Sequence, residues 1–482
     1  MDIGIIGGGS AAVGLLDVLA REAGTPGAVT VFEPSPHLWR GRPYAPDLDP
    51  VLVNSPPAIM SIRHDDADHY ASWLGARGEA HLDPDLGRPL VPRSLYGEYL
   101  EHAAEKAIAD LREHGCHVQV VAAAVVGAAP GAGRLALRTS EGREHVVDRI
   151  ALCVGGGTPQ DLYGLGGAPG FARDPYPLAR TLDEVPPHAD VAVIGSGLTA
   201  VDVVVSLAAR GHTGRISLVS RTGMLPHVWQ RPIAYQPRHL TVARVGELPA
   251  RDGELTLEHL TGLLRAEMAD AGEDLDALLA DLRAARTDDP VVRLRRQIDA
   301  ITAPEIGRRV LQVAAHTVGP YAWRLLAERD RHRLRAQSRI AISVASPMVP
   351  VNAVRLLQLF DSGRLEVLAG ARGITRENGR FSIETGTGAR RADVVVNAVN
   401  PAPHAVPPAA AGLVDDLVAT GVAARHPSGG LVAADPRVHV VGDLAGGGSF
   451  LTSSIPGIAA RAAAAARAIL AGPQPSAAGP VP

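Results

Sequence analysis

The chain opens with Asp2-Ile3-Gly4-Ile5-Ile6-Gly7-Gly8-Gly9-Ser10-Ala11-Ala12, an apolar run that stops at glycines and continues with helical spacing to Leu19. A second apolar run, residues 29–32, ends on Glu33. A strand, a glycine turn, a helix and a terminal acid in this order are typical of a dinucleotide-binding α/β unit. The sequence therefore predicts a nucleotide site that uses Gly7, Gly9, Ser10, Ala11, Ala12 and Glu33.

Each position in this pattern has a physical reason. Gly7 allows the tight turn, Gly9 lets the backbone approach a pyrophosphate, and the small Ala12 lets the helix pack close to the strand. Backbone N–H groups and the helix dipole would hold the phosphates. The carboxylate of Glu33 can accept hydrogen bonds from both hydroxyls of an adenosine ribose.

The same pattern recurs in the middle of the chain. Residues 191–194, after Asp190, form an apolar run that leads into Gly195-Ser196-Gly197-Leu198-Thr199-Ala200 and an apolar helix, and residues 216–219 supply the second strand. The predicted contacts of this second nucleotide site are Gly195, Gly197, Leu198, Thr199 and Ala200.

The second site differs from the first at its terminal position. Ser220-Arg221 stands where the first repeat has an acid. A ribose 2′-phosphate needs positive charge there and would be repelled by a carboxylate, so the sequence favours NADP over NAD. The alternative is that Arg221 is a solvated surface arginine.

Three segments outside the first repeat are predicted to contribute to the first nucleotide site. Residues 146–154 read as a strand that ends at Gly155, and residues 438–441 as a strand that ends at Gly442-Asp443. A carboxylate at such a strand end can bind a polyol hydroxyl of a flavin cofactor, and the helix that opens at Ile455 can face the flavin carbonyls. The Pro/Ala/Gly-rich tail after Gly472 is predicted to be disordered.

Composition limits the class of protein. The chain has 482 residues, which suggests two or three domains, and a formal net charge of −4, which does not indicate nucleic-acid binding. Its two cysteines, Cys116 and Cys153, are far apart and read as inert thiols, which argues against a flavin disulfide reductase. No cluster with metal-ligand spacing is evident. Residues 459–470 read as an alanine-rich surface helix, so we expect a cytoplasmic protein without a membrane span.

The stretches between the repeats predict further elements. Residues 34–57 form an irregular loop that is predicted to wrap a cofactor, with Trp39, Tyr44 and the nearby Met60 as candidate contacts. The alternative is that Trp39 and Tyr44 only fill gaps in the core. Leucines at helical spacing in residues 256–286, interrupted by Gly272, predict a helical hairpin. Short apolar runs predict further strands at residues 118–126, 365–368, 381–385 and 394–397, the last three completing the second unit's sheet.

Together these motifs resemble the FAD and NAD(P)H flavoproteins with two dinucleotide-binding domains. The run from Leu52 to Ser61, the Arg93 to Leu100 segment and Ser220 to Pro226 are similar to one FAD/NAD(P)-binding family related to the single-component N-hydroxylating monooxygenases. The resemblance implies FAD and NADPH as cofactors and places Asn54 and the 39–44 loop near the flavin. Residues 397–400 and 343–350 differ from that family's usual pattern on the predicted substrate side.

The expected fold is α/β, with two Rossmann-like domains and a helical insertion. Residues 1–182 and 403–482 would form the FAD domain, and residues 183–402 the NADP domain, with the helical insert at about 229–340. The insert either closes over the cleft between the domains or forms a homodimer contact.

Three functions fit these motifs. The first is an NADPH-dependent monooxygenase that uses molecular oxygen to N-hydroxylate a small amine or amino acid, by resemblance in bacterial secondary metabolism. The second is an NADPH oxidase or reductase that passes electrons to another acceptor, and the third is a cofactor-holding subunit without turnover. The sequence assigns no catalytic acid or base.

Overall fold

The computed structural model describes residues 1–22, 24–131, 133–386, 388–427, 429–447 and 454–472. The tail after Gly472 lies outside them. The strands, in chain order, are β1 (Asp2–Ile6), β2 (Ala28–Phe32), β3 (Leu82–Asp83), β4 (Arg88–Pro89), β5 (His117–Val121), β6 (Val125–Pro130), β7 (Leu135–Thr139), β8 (Glu144–Val147), β9 (Arg149–Leu152), β10 (Phe171–Ala172), β11 (Val191–Ile194), β12 (Ile216–Ser220), β13 (Leu365–Ala369), β14 (Gly373–Glu377), β15 (Arg380–Thr385), β16 (Gly388–Ala392), β17 (Val394–Asn397), β18 (Ala423–Arg425), β19 (Leu431–Ala433) and β20 (Val438–Val440).

The α-helices are α1 (Ser10–Arg21), α2 (His69–Leu74), α3 (Arg93–Glu113), α4 (Leu178–Asp183), α5 (Leu198–Ala209), α6 (Val242–Asp252), α7 (Leu257–Asp270), α8 (Leu275–Ala284), α9 (Pro290–Asp299), α10 (Gly307–Thr317), α11 (Gly319–Leu325), α12 (Glu328–Ala336), α13 (Ser338–Ala345), α14 (Pro350–Asp361), α15 (Ala411–Ala419) and α16 (Ile455–Ala471).

The first sheet has the strand order β20-β9-β1-β2-β5, and all its pairs are parallel. Helices α1, α3 and α16 share the core on one face, and the antiparallel sheet β6-β7-β8 contributes to the core on the other. Burial on both faces explains why β1 reads as a continuous apolar run. Because β20 lies at the edge beside β9, the last part of the chain returns to the first sheet.

The second sheet has the order β10-β17-β11-β12-β13 and is also parallel. The predicted fold class, two parallel dinucleotide-type sheets in one chain, is therefore confirmed. The short strand β10 joins this second sheet although it precedes residue 182, where the sequence placed the boundary between domains.

Three strand predictions were wrong in detail. Residues 381–385 belong to the antiparallel sheet β14-β15-β16, which lies against the second sheet and does not extend it. Residues 118–126 are divided between β5 and β6, and residues 146–154 between β8 and β9, in different sheets. The alternation of apolar residues identifies a strand, but it does not identify the strand that pairs with it.

The helical insert lies between β12 and α14 and contains helices α6 to α13. The predicted hairpin corresponds to α7 and α8. Thr256 caps α7, and Gly272 between the two helices has a φ of +74°. This backbone conformation favours glycine, so the helix break was readable from the sequence.

The alanine-rich helix α16 is a core element, contrary to the expected surface helix. Ala462, Ala463 and Ala466 are buried, and Ala462 packs close to Gly14 of α1. Small residues on both helices permit this close approach. None of the described helices has both the length and the apolar character needed to cross a membrane.

Candidate functional site

The first glycine turn lies where β1 ends and α1 begins. Gly7 has a φ of +100°, and a Cβ there would lie 2.7 Å from the carbonyl oxygen of Cys153, so only glycine fits without strain. Gly9 precedes α1, and no side chain caps that helix end. The N–H groups at Ser10 and Ala11 are therefore open to an anion, which the positive end of the helix dipole would also favour.

Glu33 lies beside this turn, at the end of β2. One carboxylate oxygen accepts the Gly8 N–H at 2.7 Å and the other accepts the Ser35 N–H at 2.8 Å. Each oxygen retains a lone pair for a further donor such as a ribose hydroxyl. The acid thus also shapes the turn, which the sequence pattern did not indicate.

The loop after Glu33 folds back over the turn. Trp39 has a φ of +68°, and its N–H donates to the carbonyl of Gly8 at 2.6 Å. Its side chain is buried in the core, as is that of Met60. For Trp39 the structure favours the core-filling alternative, although its backbone fixes the loop over the glycines.

Tyr44 and Asn54 are both half-buried, unlike Trp39 and Met60. The Tyr44 ring packs 4.6 Å from that of Tyr96, and burial raises the pKa of Tyr44 to about 12, with Asp443 among the charges that affect it. The side-chain oxygen of Asn54 is buried and has no hydrogen-bond partner. Its backbone carbonyl accepts the indole N–H of Trp229 at 2.9 Å, so the first residues of the insert contact this loop.

The strand ends of β9 and β20 meet beside the first turn. Gly155 follows β9 and is exposed, while Gly442 and Asp443 follow β20. A Cβ on Gly156 would lie 2.9 Å from the Asp443 carboxylate, so the glycine makes room for the acid. Burial raises the pKa of Asp443, and Arg461 offsets part of this effect. Ile455 opens α16, whose N-terminus also has no side-chain cap.

The second glycine turn repeats the first between β11 and α5. Gly195 has a φ of +118°, Gly197 precedes the helix without a side-chain cap, and a Cβ on Gly197 would meet nothing within 4 Å. Leu198 is half-buried and Ala200 is fully buried against the sheet. The Thr199 hydroxyl donates to the Asn400 side chain at 3.1 Å, so the divergent 397–400 stretch lies against this turn.

The two cofactor contacts predicted at the end of β12, Ser220 and Arg221, lie in different environments. The Ser220 hydroxyl is buried and is bonded to the Ser196 hydroxyl at 3.2 Å and to the Gly223 N–H at 2.9 Å. Arg221 is exposed, and no ion pair is found for it among the described residues. Ser220 therefore stabilises the turn, whereas Arg221 is available to a ligand.

A buried ionic network between the two α/β units was missed. Arg93, the first residue of α3, donates to the Asp202 carboxylate of α5 at 2.6 Å and to the Tyr176 hydroxyl at 3.0 Å. Tyr176 donates to the same carboxylate at 2.5 Å, and the Arg93 Nε donates to the Leu52 carbonyl at 3.0 Å. Burial lowers the pKa of Arg93, but the adjacent Asp202 and Tyr176 outweigh it and raise the pKa overall.

Residues 4–157 match the family model described as FAD-NAD(P)-binding. This part of the chain is similar to FAD- and NAD(P)-binding domains. No curated protein sequence matches the chain.

Solved structures resemble the chain over almost its whole length. L-lysine 6-monooxygenase from Pseudomonas syringae has 16% identity and a TM-score of 0.54 over 97% of this chain and 98% of its own. Ornithine N-hydroxylase from Kutzneria sp. 744 has 14% identity and a TM-score of 0.54, covering 98% and 97%. The cadaverine monooxygenase of desferrioxamine biosynthesis from Erwinia amylovora has 13% identity and a TM-score of 0.58, covering 97% and 94%. At these identities the likeness shows a shared fold.

The residues at the first site fit FAD. The uncapped start of α1 suits a pyrophosphate, Glu33 has lone pairs for a ribose, and Asp443 is a polar group at the strand end where a polyol would pass. The unpartnered oxygen of Asn54 is a buried polar group of the kind that a bound ligand satisfies.

Proposed function

We propose that the chain is an FAD-dependent, NADPH-using monooxygenase that hydroxylates the nitrogen of a small amine or amino acid. One observation carries the proposal: two glycine turns on two parallel sheets occur in a chain whose fold follows N-hydroxylating enzymes from end to end. The solved relatives are named for lysine, ornithine and cadaverine, each of which carries a primary amine on an aliphatic chain. When bound, the flavin takes up hydride from the nicotinamide and activates oxygen.

The two nucleotide sites would be divided between the two units. Residues 1–182 and 403–482 would form the FAD domain, except that β10 pairs in the second sheet and the side chains of Leu178 and Leu182 pack in the second core. The pyrophosphate would lie at the start of α1, the adenosine ribose at Glu33 and the ribityl chain at Asp443. Residues 183–402 would form the NADP domain, with the pyrophosphate at the start of α5. Arg221, and not the Ser220 hydroxyl, would contact the 2′-phosphate.

The chain would also exclude water from the space between the units. Val51 and Leu90 of the first unit pack with Val228 and Trp229 in the buried cluster that contains the core of the second unit. Apolar packing that excludes water from the contact between the units would protect activated oxygen from side reactions with solvent. Cys116 and Cys153 are both buried and free, so they offer no exposed thiol for disulfide reduction.

The test is to supply the purified protein with NADPH, oxygen and each of lysine, ornithine and cadaverine. NADPH consumption, hydrogen peroxide and hydroxylated amine are measured together, the last by mass spectrometry, with NADH as the control reductant. Formation of a hydroxylated amine in proportion to NADPH consumed is the expected result. NADPH consumption that yields only peroxide with every amine would contradict N-hydroxylation and favour the oxidase function.

A further inference from the structure

Three arginines from separate elements lie close enough for the charges of two of them, Arg221 and Arg286, to act on the third, Arg339. Arg221 follows β12, Arg286 lies just after α8, and Arg339 is the second residue of α13. We call Arg221, Arg286 and Arg339 the arginine cluster. Only Arg221 belongs to the dinucleotide-type unit, because α8 and α13 are parts of the helical insert.

The packing of the insert accounts for this arrangement. The segment after Arg221 lines a small cavity together with Ala285, the residue before Arg286. The next residue along that segment, His227, is joined through its Nδ1 to the Ser343 hydroxyl of α13 at 3.1 Å. Both insert elements are thus held against the chain that leaves β12, and this packing agrees with the effect of the Arg221 and Arg286 charges on Arg339.

The charges of the cluster are not balanced within the protein. Among the described residues, none of the three guanidinium groups forms an ion pair or hydrogen bond. Arg339 is half-buried, and burial lowers its pKa, which the charges of Arg221 and Arg286 lower further. Arg308, another partly buried arginine of the insert, differs in having Asp281 among its neighbours. Cations held together without an acid repel one another, and a bound anion would relieve that repulsion.

We propose that the arginine cluster binds the 2′-phosphate of NADP, and that the helical insert supplies two of its three cations. This inference rests on the proposed function, since it concerns the nucleotide of that reaction. A phosphate monoester carries close to two negative charges and accepts the forked hydrogen bonds of arginine. The helical insert would then take part in recognition of the cofactor.

The cluster can be tested by calorimetric binding of nucleotide fragments to the FAD-loaded protein. The ligands are 2′,5′-ADP, 5′-ADP and inorganic phosphate, which separate a ribose phosphate from a free one. The variants are Arg286→Gln, Arg339→Gln and the double change. Arg283→Gln is the matched control, because Arg283 is an exposed arginine of α8 outside the cluster.

We expect each cluster substitution to weaken 2′,5′-ADP binding about tenfold, the effect of one charge-assisted hydrogen bond, and to leave 5′-ADP binding unchanged. Arg339→Lys should restore part of the affinity, and Arg283→Gln should change neither ligand. The inference is overturned if the double variant keeps the wild-type preference for 2′,5′-ADP, if both nucleotides weaken equally, or if free phosphate competes as well as the nucleotide. The proposed function fails separately: protein that discriminates the nucleotides as expected but hydroxylates no amine would retain the phosphate site without the monooxygenase reaction.

Discussion

Replacing Asp202 by asparagine tests the ionic network that joins the two α/β units. The change conserves shape and keeps an oxygen that can accept from Tyr176, but it removes the negative charge opposite Arg93. Asp202 is 1% exposed, so water cannot reach this side of the Arg93 guanidinium to compensate for the lost carboxylate. The variant therefore isolates the electrostatic part of the contact.

The expected loss is about 3 kcal/mol in the free energy of unfolding. Breaking a buried ion pair from one side typically costs about 3–5 kcal/mol, because a charge is left buried without compensation. We expect the lower end, since Arg93 keeps its hydrogen bonds to the Leu52 carbonyl and the Tyr176 hydroxyl. The double variant Asp202→Asn with Arg93→Met should lose less than the sum of the two single changes, because neither charge is then left alone.

The assay is urea unfolding followed by tryptophan fluorescence and, separately, by release of FAD. Trp39 and Trp73 report on the first unit, and Trp229 and Trp323 on the insert. A stability of the Asp202→Asn variant within about 1 kcal/mol of wild type, well below the expected loss for a buried pair, would refute the reasoning. Additive losses in the double variant would do the same.

Three further predictions concern the nucleotide sites and the insert. Gly9→Val should fold, because a Cβ there meets its nearest neighbour only at 3.6 Å, but it should fail to retain FAD, whereas Gly7→Ala should damage the fold itself. Absorbance of bound flavin and far-ultraviolet circular dichroism distinguish loss of FAD from loss of fold. A fully FAD-loaded Gly9→Val protein would contradict the placement of the pyrophosphate. Arg221→Ala should weaken NADPH binding and leave NADH nearly unaffected in flavin-reduction titrations, and equal losses would remove the 2′-phosphate assignment. Burial, together with Arg293, lowers the pKa of His227 to about 3. The folded state therefore excludes a proton that the unfolded chain binds below about pH 6.5, and the free energy of unfolding should fall by about 2 kcal/mol on acidification to about pH 5. A His227→Asn variant should lack this contribution, and an identical pH dependence in the two proteins would show that His227 is not buried in its neutral form.

Local patterns were sufficient for the elements that bear the nucleotide turns. The steric limits at Gly7 and Gly195 act over a few residues, so both strand–turn–helix units could be read directly. Helix α3 also follows a local pattern, since Pro92 precedes its first residue and its apolar spacing continues to Glu113. The two cysteines are also buried, as expected.

Contacts between distant segments could not be read from these patterns. Asp202 lies 109 residues from its partner Arg93, and neither segment has a sequence pattern that identifies the other as its partner. A signal was nevertheless present: an aspartate inside the apolar run of α5 must be buried, and a buried acid needs a partner. Trp39 illustrates the opposite problem. Its position after the first turn suggested a cofactor contact, whereas its positive φ directs the backbone to the turn while the ring enters the core.

Anaerobic stopped-flow mixing of the purified yellow protein with NADPH, followed by the flavin absorbance, tests the central claim most directly. The account predicts that NADPH bleaches the bound flavin rapidly and that NADH does so much more slowly at equal concentration. Two nucleotide sites in one chain would then be joined by electron transfer. A protein that holds FAD but is not reduced by NADPH, or that is reduced equally well by both nucleotides, would contradict the account.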